Sequence, residues 1–481
     1  MPDWLLASWQ WLSGAAVLLA DAAAVAHIVL TKRDTRAAIG WAGLVLFAPL
    51  FGSVLYYLLG INRIARRAKR LKRHRPAEHP GAAGAAAAEH PPLPPAAAHL
   101  APLARLVGEL TRRPLLGGNA VRPFADGTAA YAAMLDAIDR AERSVALATY
   151  IFDTGAVGDR FVDALGRAVG RGVEVRVLID AIGARYSWPR AIVGRLKAAG
   201  IPVARFLPAF PPWFFTYANL RCHRKLLVVD GAVGFTGGMN IRDGHDPTTH
   251  PRHPIADRHF RLDGPVVADL RACFADDWRF AAGEQLGGDR WFPKLEPAGG
   301  VPARGVRGGP DHDIATLRTV YLGAIASARE SVRVVSPYFL PESDLQAGLA
   351  VAALRGVRVD IVLPAENNLR LVQWACQGQL GAVLDPGCRV WLTPPPFDHS
   401  KLLVVDRAWV LFGSSNWDPR SLRLNFEFDV ECYDPEFAAA MDDVAAAKIA
   451  SARELTAAEH RGRTLPVRLR DGVARLLTPY L

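Results

Sequence analysis

With 481 residues, the chain is too long for one ordinary hydrophobic core and should divide into two or three folded units. Its 22% charged and 51% hydrophobic residues exclude a largely disordered chain, and five cysteines without a C-x-x-C pair argue against a disulfide framework or a zinc site. The net charge of +10 is concentrated, with eight Lys/Arg and no acidic residue between Arg63 and Arg75, a run suited to nucleic acid or to an anionic membrane surface.

The preceding residues favour the membrane. Residues 11–30 are apolar apart from Asp21 and His27, and an Asp near mid-span costs on the order of 2.5–3.5 kcal/mol. Residues 37–60 carry no charged side chain and are long enough to cross a hydrocarbon layer of roughly 30 Å. A cleaved signal peptide is not expected, because no basic segment precedes the first run, no small-residue cleavage site is evident, and a second span follows. Residues 1–75 therefore read as an anchor of two membrane helices, about 11–30 and 37–60, with a basic tail at 63–75. That tail should stay cytoplasmic, which makes this a multi-pass protein of the inner (cytoplasmic) membrane with the chain's large remainder on the cytoplasmic side. The loop Thr31–Arg36 would then face outward with Lys32, Arg33 and Arg36 against Asp34, a weaker charge yielding to a stronger one. Pro49 and Gly52 are placed to kink the second helix, and a shallow hairpin in one leaflet is the alternative. The cysteines fit reduced thiols, and Cys222, beside His223, reads as a buried strand residue.

Residues 76–102 are Ala, Pro, Gly and His with few large apolar side chains, and read as a semi-extended linker without a core. A first α/β domain is expected over 103–296. Helical spacing at Ala129–Ala141 and Val157–Gly170 alternates with β-rich runs at Ser144–Phe152 and Val173–Asp180, which implies parallel strands with crossover helices. The pattern returns: Ala324–Val332 echoes Ala137–Val145, and Arg355-Gly356-Val357 echoes Arg171-Gly172-Val173. A Gly/Pro-rich segment near Pro297–Pro310 separates this domain from a second one over 311–450. Residues 451–481 form a basic amphipathic tail, suited either to packing on the domain or to a membrane surface.

One stretch occurs twice. His223-Arg-Lys225-Leu-Leu-Val-Val-Asp230 and His399-Ser-Lys401-Leu-Leu-Val-Val-Asp406 are each followed by a small-residue turn and an Asn, in Gly237-Gly238-Met239-Asn240 and Gly413-Ser414-Ser415-Asn416. His, Lys, Asp, the first Gly and Asn are all displaced by 176 residues. Leu-Leu-Val-Val is buried strand material, Asp230-Gly231 is a turn signal, and the return strand Val233–Thr236 brings Asn240 back toward the His end. His and Lys, two apart, should share a face. Two such sets facing each other suit one tetrahedral phosphate: Lys225, Lys401, Asn240 and Asn416 hold its oxygens, with Gly238 and Ser414 allowing close approach. One imidazole attacks phosphorus while the other donates a proton to the departing alkoxide, so no metal and no cofactor is required. Each imidazole needs an orienting carboxylate, and the next predicted strands offer Asp257 and Glu427. His245, His250, His253 and His259 lie in a Pro-rich stretch without metal-ligand spacing and are expected at the surface, while Tyr150 and Tyr338 end matching strands as packing residues.

These doubled motifs resemble the phospholipase D superfamily, and within it the bacterial cardiolipin synthases. Leu59-Gly-Ile-Asn-Arg-Ile before the arginines, Thr236–Asp243 and Gly413–Glu427 carry the closer likeness. The resemblance implies two tandem phospholipase D-like α/β domains related by pseudo-two-fold symmetry after two transmembrane helices. It also implies that His223 is the nucleophile and His399 the acid and then base, that Lys225, Lys401, Asn240 and Asn416 bind phosphate, and that Asp230 and Asp406 complete the catalytic motifs. The implied substrates are phosphatidylglycerol and other anionic phospholipids, joined to give cardiolipin and glycerol. Ser400 stands where many relatives have Ala, and the linker is unusually long. A hydrolase would use the same residues with water as acceptor. A nuclease has no need of membrane spans, and nucleic acid is not an expected partner. A non-catalytic scaffold would be expected to have lost one of the paired His or Lys residues. The oligomeric state is not legible.

Overall fold

The computed structural model describes residues 3–32, 35–60, 91–186, 191–207, 220–249, 252, 254–310 and 315–478. The basic run 63–75, most of the expected linker, His250 and His253 lie outside the described residues. The chain forms two compact units, Met1–Arg67 and Ala68–Leu481.

The first unit is built on α1 (Asp3–Thr31) and α2 (Thr35–Phe47). Among the described residues one helix is long and apolar enough to cross a membrane, Trp11–Thr31, so the run containing Asp21 is the continuous one. The second helix expected over 37–60 is interrupted, at the segment where Pro49 and Gly52 were placed to kink it. It stops before Pro49, passes Leu50 at φ 62°, and resumes as Phe51–Leu55 and a π turn to Gly60. Asp21 accounts for both departures. Its carboxylate accepts the Leu50 N–H at 3.1 Å and the Ser53 hydroxyl, so the acid in α1 satisfies the amide that the break frees. Asp21 is accordingly buried rather than set against lipid. Lys32 Nζ donates to the Gly60 carbonyl at 2.6 Å, closing the other end of the hairpin.

The second unit opens with α3 (Ala101–Thr111) and β1 (Leu116–Phe124). It continues through α4 (Gly127–Asp139), β2 (Ser144–Thr149), α5 (Ala156–Gly170), β3 (Glu174–Asp180), β4 (Val203–Phe206), β5 (Arg221–Cys222), β6 (Leu226–Val229), β7 (Val233–Gly237), β8 (Ile255–Ala256), β9 (His259–Asp263) and α6 (Val267–Ala282). The second half runs β10 (Val301–Gly308), α7 (Thr316–Ser327), β11 (Ser331–Val335), α8 (Ser343–Leu354), β12 (Arg358–Pro364), α9 (Arg370–Gln377), β13 (Arg389–Thr393), β14 (Phe397–Asp398), β15 (Leu402–Val405), β16 (Trp409–Gly413) and β17 (Asn425–Cys432). It ends with α10 (Pro435–Ala450), β18 (Arg453–Leu455) and α11 (Leu465–Leu476).

One sheet runs through both halves in the order β18-β13-β12-β11-β15-β16-β17-β10-β1-β9-β7-β6-β2-β3-β4. Outward from the antiparallel β1–β10 pair, β9-β7-β6-β2-β3-β4 on one side answers β17-β16-β15-β11-β12-β13 on the other. The tandem repeat is thus one sheet with two like arms. Parallel pairing holds for β2-β3-β4 and β11-β12-β13, where helices cross over. The strands bearing Leu-Leu-Val-Val are antiparallel to their neighbours and buried throughout. Each half keeps its own apolar core.

Two boundaries differ from the expectation. Ala97, Leu100, Leu103 and Val107 are buried in the core of the second half, against Leu317, Val320 and Tyr321. The Ala/Pro segment therefore does have a core before residue 102, and α3 straps the start of the first half onto the second. The tail after residue 450 is likewise part of the second half: β18 pairs with β13 and extends the sheet.

Candidate active site

The two halves exchange strands at the motifs. β5 ends at Cys222 and pairs in parallel with β17 of the other half, Cys222 opposite Phe426, and the His223 N–H donates to the Phe426 carbonyl at 2.9 Å. β14 in turn pairs in parallel with β8, and the His399 N–H donates to the Ala256 carbonyl at 2.7 Å. Each motif histidine is thereby hung on the strand that carries the other half's carboxylate. His223 Nδ1 lies 3.0 Å from both Glu427 oxygens, and His399 Nδ1 lies 2.7 Å from Asp257 Oδ2. The carboxylates are equivalent in register: His259 opposes Gly237 and Asp429 opposes Gly413, so Asp257 and Glu427 each stand two residues before the partner of the first motif glycine.

Small residues beside the carboxylates complete this packing. A Cβ at Gly238 would run into the Asp257 carboxylate. The equivalent Ser414 instead donates its hydroxyl to Glu427. Lys225 and Lys401 are buried, and each folds back so that Nζ donates to its own histidine carbonyl, at 2.6 Å and 2.5 Å. Asn240 accepts the Ile151 N–H at 3.1 Å, whereas the buried Asn416 Oδ1 has no hydrogen-bond partner among the described residues. Tyr150 and Tyr338 close the walls, their ring centroids 5.2 Å from His223 and 6.3 Å from His399. With Nδ1 of each ring committed to a carboxylate, Nε2 is the nitrogen left for chemistry on both sides.

The family model described as cardiolipin synthase, phospholipase D-like domain, matches residues 134–245 and 321–448, and a phospholipase D-nuclease N-terminal model matches 19–60. Cardiolipin synthase A of Pseudomonas fluorescens Pf-5 is 34% identical over 464 residues, covering 95% of both chains. The Pseudomonas aeruginosa PAO1 protein of the same name is 33% identical over 460 residues, 95% of this chain and 93% of its own. The chain belongs to the phospholipase D-like cardiolipin synthase family. The crystal structure of phosphatidylserine synthase from Haemophilus influenzae Rd KW20 shares the fold, with a TM-score of 0.61 at 16% identity over 79% of this chain and 100% of that one. Membership, together with the apolar helix Trp11–Thr31, makes this an enzyme of phospholipid metabolism and a membrane protein.

Burial governs the electrostatics of this cardiolipin synthase-family site. It lowers Lys225 to about 7 and Lys401 to about 8. His223 is lowered by burial, against the pull of Glu427. His399 is lowered further, by burial and then by Lys401, Lys225 and His223. Both rings are therefore neutral at neutral pH when no anion is bound. Burial would raise Glu427, but His223, Lys225 and the Ser414 hydroxyl outweigh it and hold the carboxyl below its usual range. Asp257 is raised by burial, only partly opposed by Lys401 and His245.

The motif aspartates stand elsewhere, and their expected catalytic place is corrected. Asp230 accepts the N–H groups of Glu142, Arg143 and Ser144, and Asp406 those of Arg329, Glu330 and Ser331 plus His99 Nε2 at 2.7 Å. Each sits at φ near 51–52° where β6 or β15 ends, at the far end of its strand from the His. They fasten the turn that starts β2 or β11. Asp230→Ala is expected to lower stability by about 1.5–3 kcal/mol, from losing a charged acceptor shared by three amides. Turnover per folded molecule should change little, which denaturant titration alongside active-fraction assays will separate.

Two histidines also depart from expectation. His245 and His259, expected at the surface, are buried, 2% and 1% exposed. The His245 ring lies 5.9 Å from that of His399, and its Nδ1 is 3.9 Å from Asp257, where burial holds it to about 3. His245, Asp257 and His399 bring one ligand atom each within 4.8 Å of one another, enough for a metal, but Asp257 and His399 are already joined by the hydrogen bond that orients His399. Arg224, inside the first motif, was given no role from sequence. Fully buried, it pairs with Asp277 and donates to the carbonyls of Glu427 (2.9 Å) and Gly308 (3.2 Å), clamping the first motif to β17. Its long basic side chain between two motif residues was the signal available.

Proposed function

We propose that the chain joins two phosphatidylglycerol molecules into cardiolipin and glycerol through a covalent phosphatidyl–His223 intermediate, with residues 103–296 and 311–450 supplying the two halves of the site. The observation that carries this reading is the exchange of carboxylates, which fixes two imidazoles with free Nε2 atoms beside two lysines. The ionised Glu427 holds the Nδ1 proton of His223 and makes Nε2 the better nucleophile. His223 attacks phosphorus, the bond to the glycerol oxygen breaks, and His399 supplies the proton that makes free glycerol. His399 then takes the proton of the second phosphatidylglycerol's hydroxyl as that oxygen attacks phosphorus and His223 leaves. Lys225, Lys401 and Asn416 hold the non-bridging oxygens and stabilise the charge that develops on them. Asn240, its carbonyl taken by Ile151, contributes its amide N–H groups. A phosphodiester anion draws His399 toward protonation, offsetting the lysines that depress it.

In the same reading, residues 35–60 form the second arm of a membrane hairpin, which holds the basic run and the catalytic unit at the cytoplasmic face of the inner membrane.

The lysine shifts set a pH limit. Below about 7 both ammoniums are charged, and above about 8 both are neutral and cannot hold the diester. At low pH His223 gains a proton and cannot attack. The profile of kcat/KM is therefore expected to be bell-shaped, its alkaline limb falling well below the ordinary lysine range because a lowered lysine loses its charge earlier. A plateau reaching pH 10 would contradict this.

The function itself is tested with purified protein in phosphatidylglycerol vesicles, measuring lipid products and free glycerol. Cardiolipin and glycerol in equal amounts are expected. Phosphatidic acid without cardiolipin would make the chain a hydrolase.

A further inference from the structure

Helix α11 packs on α9 with one face and leaves a second apolar face in solvent. Ala474 and Asp471 point inward, Ala474 joining Leu340, Val372 and Ala375, with Tyr338 and Trp374 packed against them. Leu465, Leu469, Val473 and Leu476 point the other way and are 60–70% exposed. At 3.6 residues per turn these four fall within an arc of about 80°, a continuous stripe on one side of the helix. Arg468 and Arg475 border the stripe on one side and Arg470 on the other, all exposed. Arg470 is tied to Asp471 and stacks 4.8 Å over Trp374, so that edge of the helix is fixed in place. Leu369 and Leu371, at the start of α9, add exposed apolar surface next to it.

A helix already seated on its domain has no reason of its own to keep four large apolar side chains in water, where their burial would be favourable. An apolar stripe between arginines matches the boundary between acyl chains and anionic headgroups. The helix also stands near the chemistry: Ala474 touches the cluster that holds Tyr338, and Tyr338 walls the His399 side of the site. We propose that α11 is a second membrane contact, belonging to the catalytic unit, and that its stripe enters an anionic leaflet beside the mouth of the site. A phospholipid headgroup could then reach the lysines while its acyl chains stay in the bilayer. This rests on the lipid-substrate reading only for its benefit to turnover; the contact itself does not depend on it.

The test uses the full-length chain. With an environment-sensitive fluorophore on L469C, emission should shift to the blue in phosphatidylglycerol vesicles. It should shift less in phosphatidylcholine vesicles, and less in phosphatidylglycerol for R468Q/R475Q. The variant L469E/V473E should raise the surface-concentration KM about tenfold, with kcat at saturating lipid and the circular dichroism spectrum unchanged. A probe that stays in water on phosphatidylglycerol vesicles would overturn the proposal, whatever lipid product is formed. So would a blue-shifted probe in detergent accompanied by a doubled particle mass, because a second copy would then cover the stripe. An unchanged KM for L469E/V473E would also overturn it.

Discussion

Replacing His223 by alanine is expected to lower kcat by at least about 10⁴-fold, and replacing His399 to do the same, because one imidazole makes the bond to phosphorus and the other moves the proton in the proposed reaction. The two losses should differ in cause. A diester with p-nitrophenolate in place of glycerol needs no acid to expel it. His399→Ala should therefore recover a first-turnover burst of p-nitrophenol, about one per site and measured by absorbance, while His223→Ala should not. Equal failure on this substrate would place both histidines in the first bond-forming step and contradict the division of roles.

The second large effect concerns the exchanged carboxylates. Glu427→Gln keeps the shape of the pocket but removes the charge that fixes the Nδ1 proton of His223, and should cost about 10²–10⁴-fold in kcat. Because it acts through the nucleophile, the activated diester should not rescue it. Asp257→Asn acts through His399 at 2.7 Å and should be rescued in part. The remaining polar contacts of both sites keep the fold, so thermal stability should fall far less than activity. The assignment crosses between halves: the first half's carboxylate serves the second half's histidine. A variant pair behaving in the uncrossed sense, Asp257→Asn like His223→Ala, would show that strand exchange at β5 and β14 does not set the chemistry.

The doubled motif was legible because it repeats in register. Leu226–Val229 and Leu402–Val405 are buried strands, and the chain reverses after Asp230 as the Asp230-Gly231 signal implies, and likewise after Asp406. Glu427 and Asp257 were visible as acids on the following strands. Their crossing was not, because β5–β17 and β8–β14 are two-residue parallel pairings between distant segments and leave no periodicity in the sequence. The motif aspartates count with the catalytic residues only through the family resemblance, and in the fold they serve backbone amides at the far end of the strand. His245 was misjudged because a stretch rich in Pro, Asp and His looks solvated. Its burial depends on Gly127, which presses against the His245 carbonyl, and on Asp246, which takes the Thr128 hydroxyl at 2.8 Å. Asp21 shows the same limit in the anchor. Its cost was legible, but its partner lay 29 residues away at a break that Pro49 only hinted at. The segment 95–111 could not be assigned to the second half from its residues, since small side chains and a short amphipathic helix fit any apolar groove.

The central claim is that one phosphodiester is gripped between both imidazoles and carried on one of them. Full-length protein mixed with phosphatidylglycerol and quenched in alkali within a single turnover should yield a peptide bearing a phosphatidyl group on His223, formed and lost at rates that account for turnover. A modification found on His399 instead, or cardiolipin appearing while neither histidine is modified, would contradict the account.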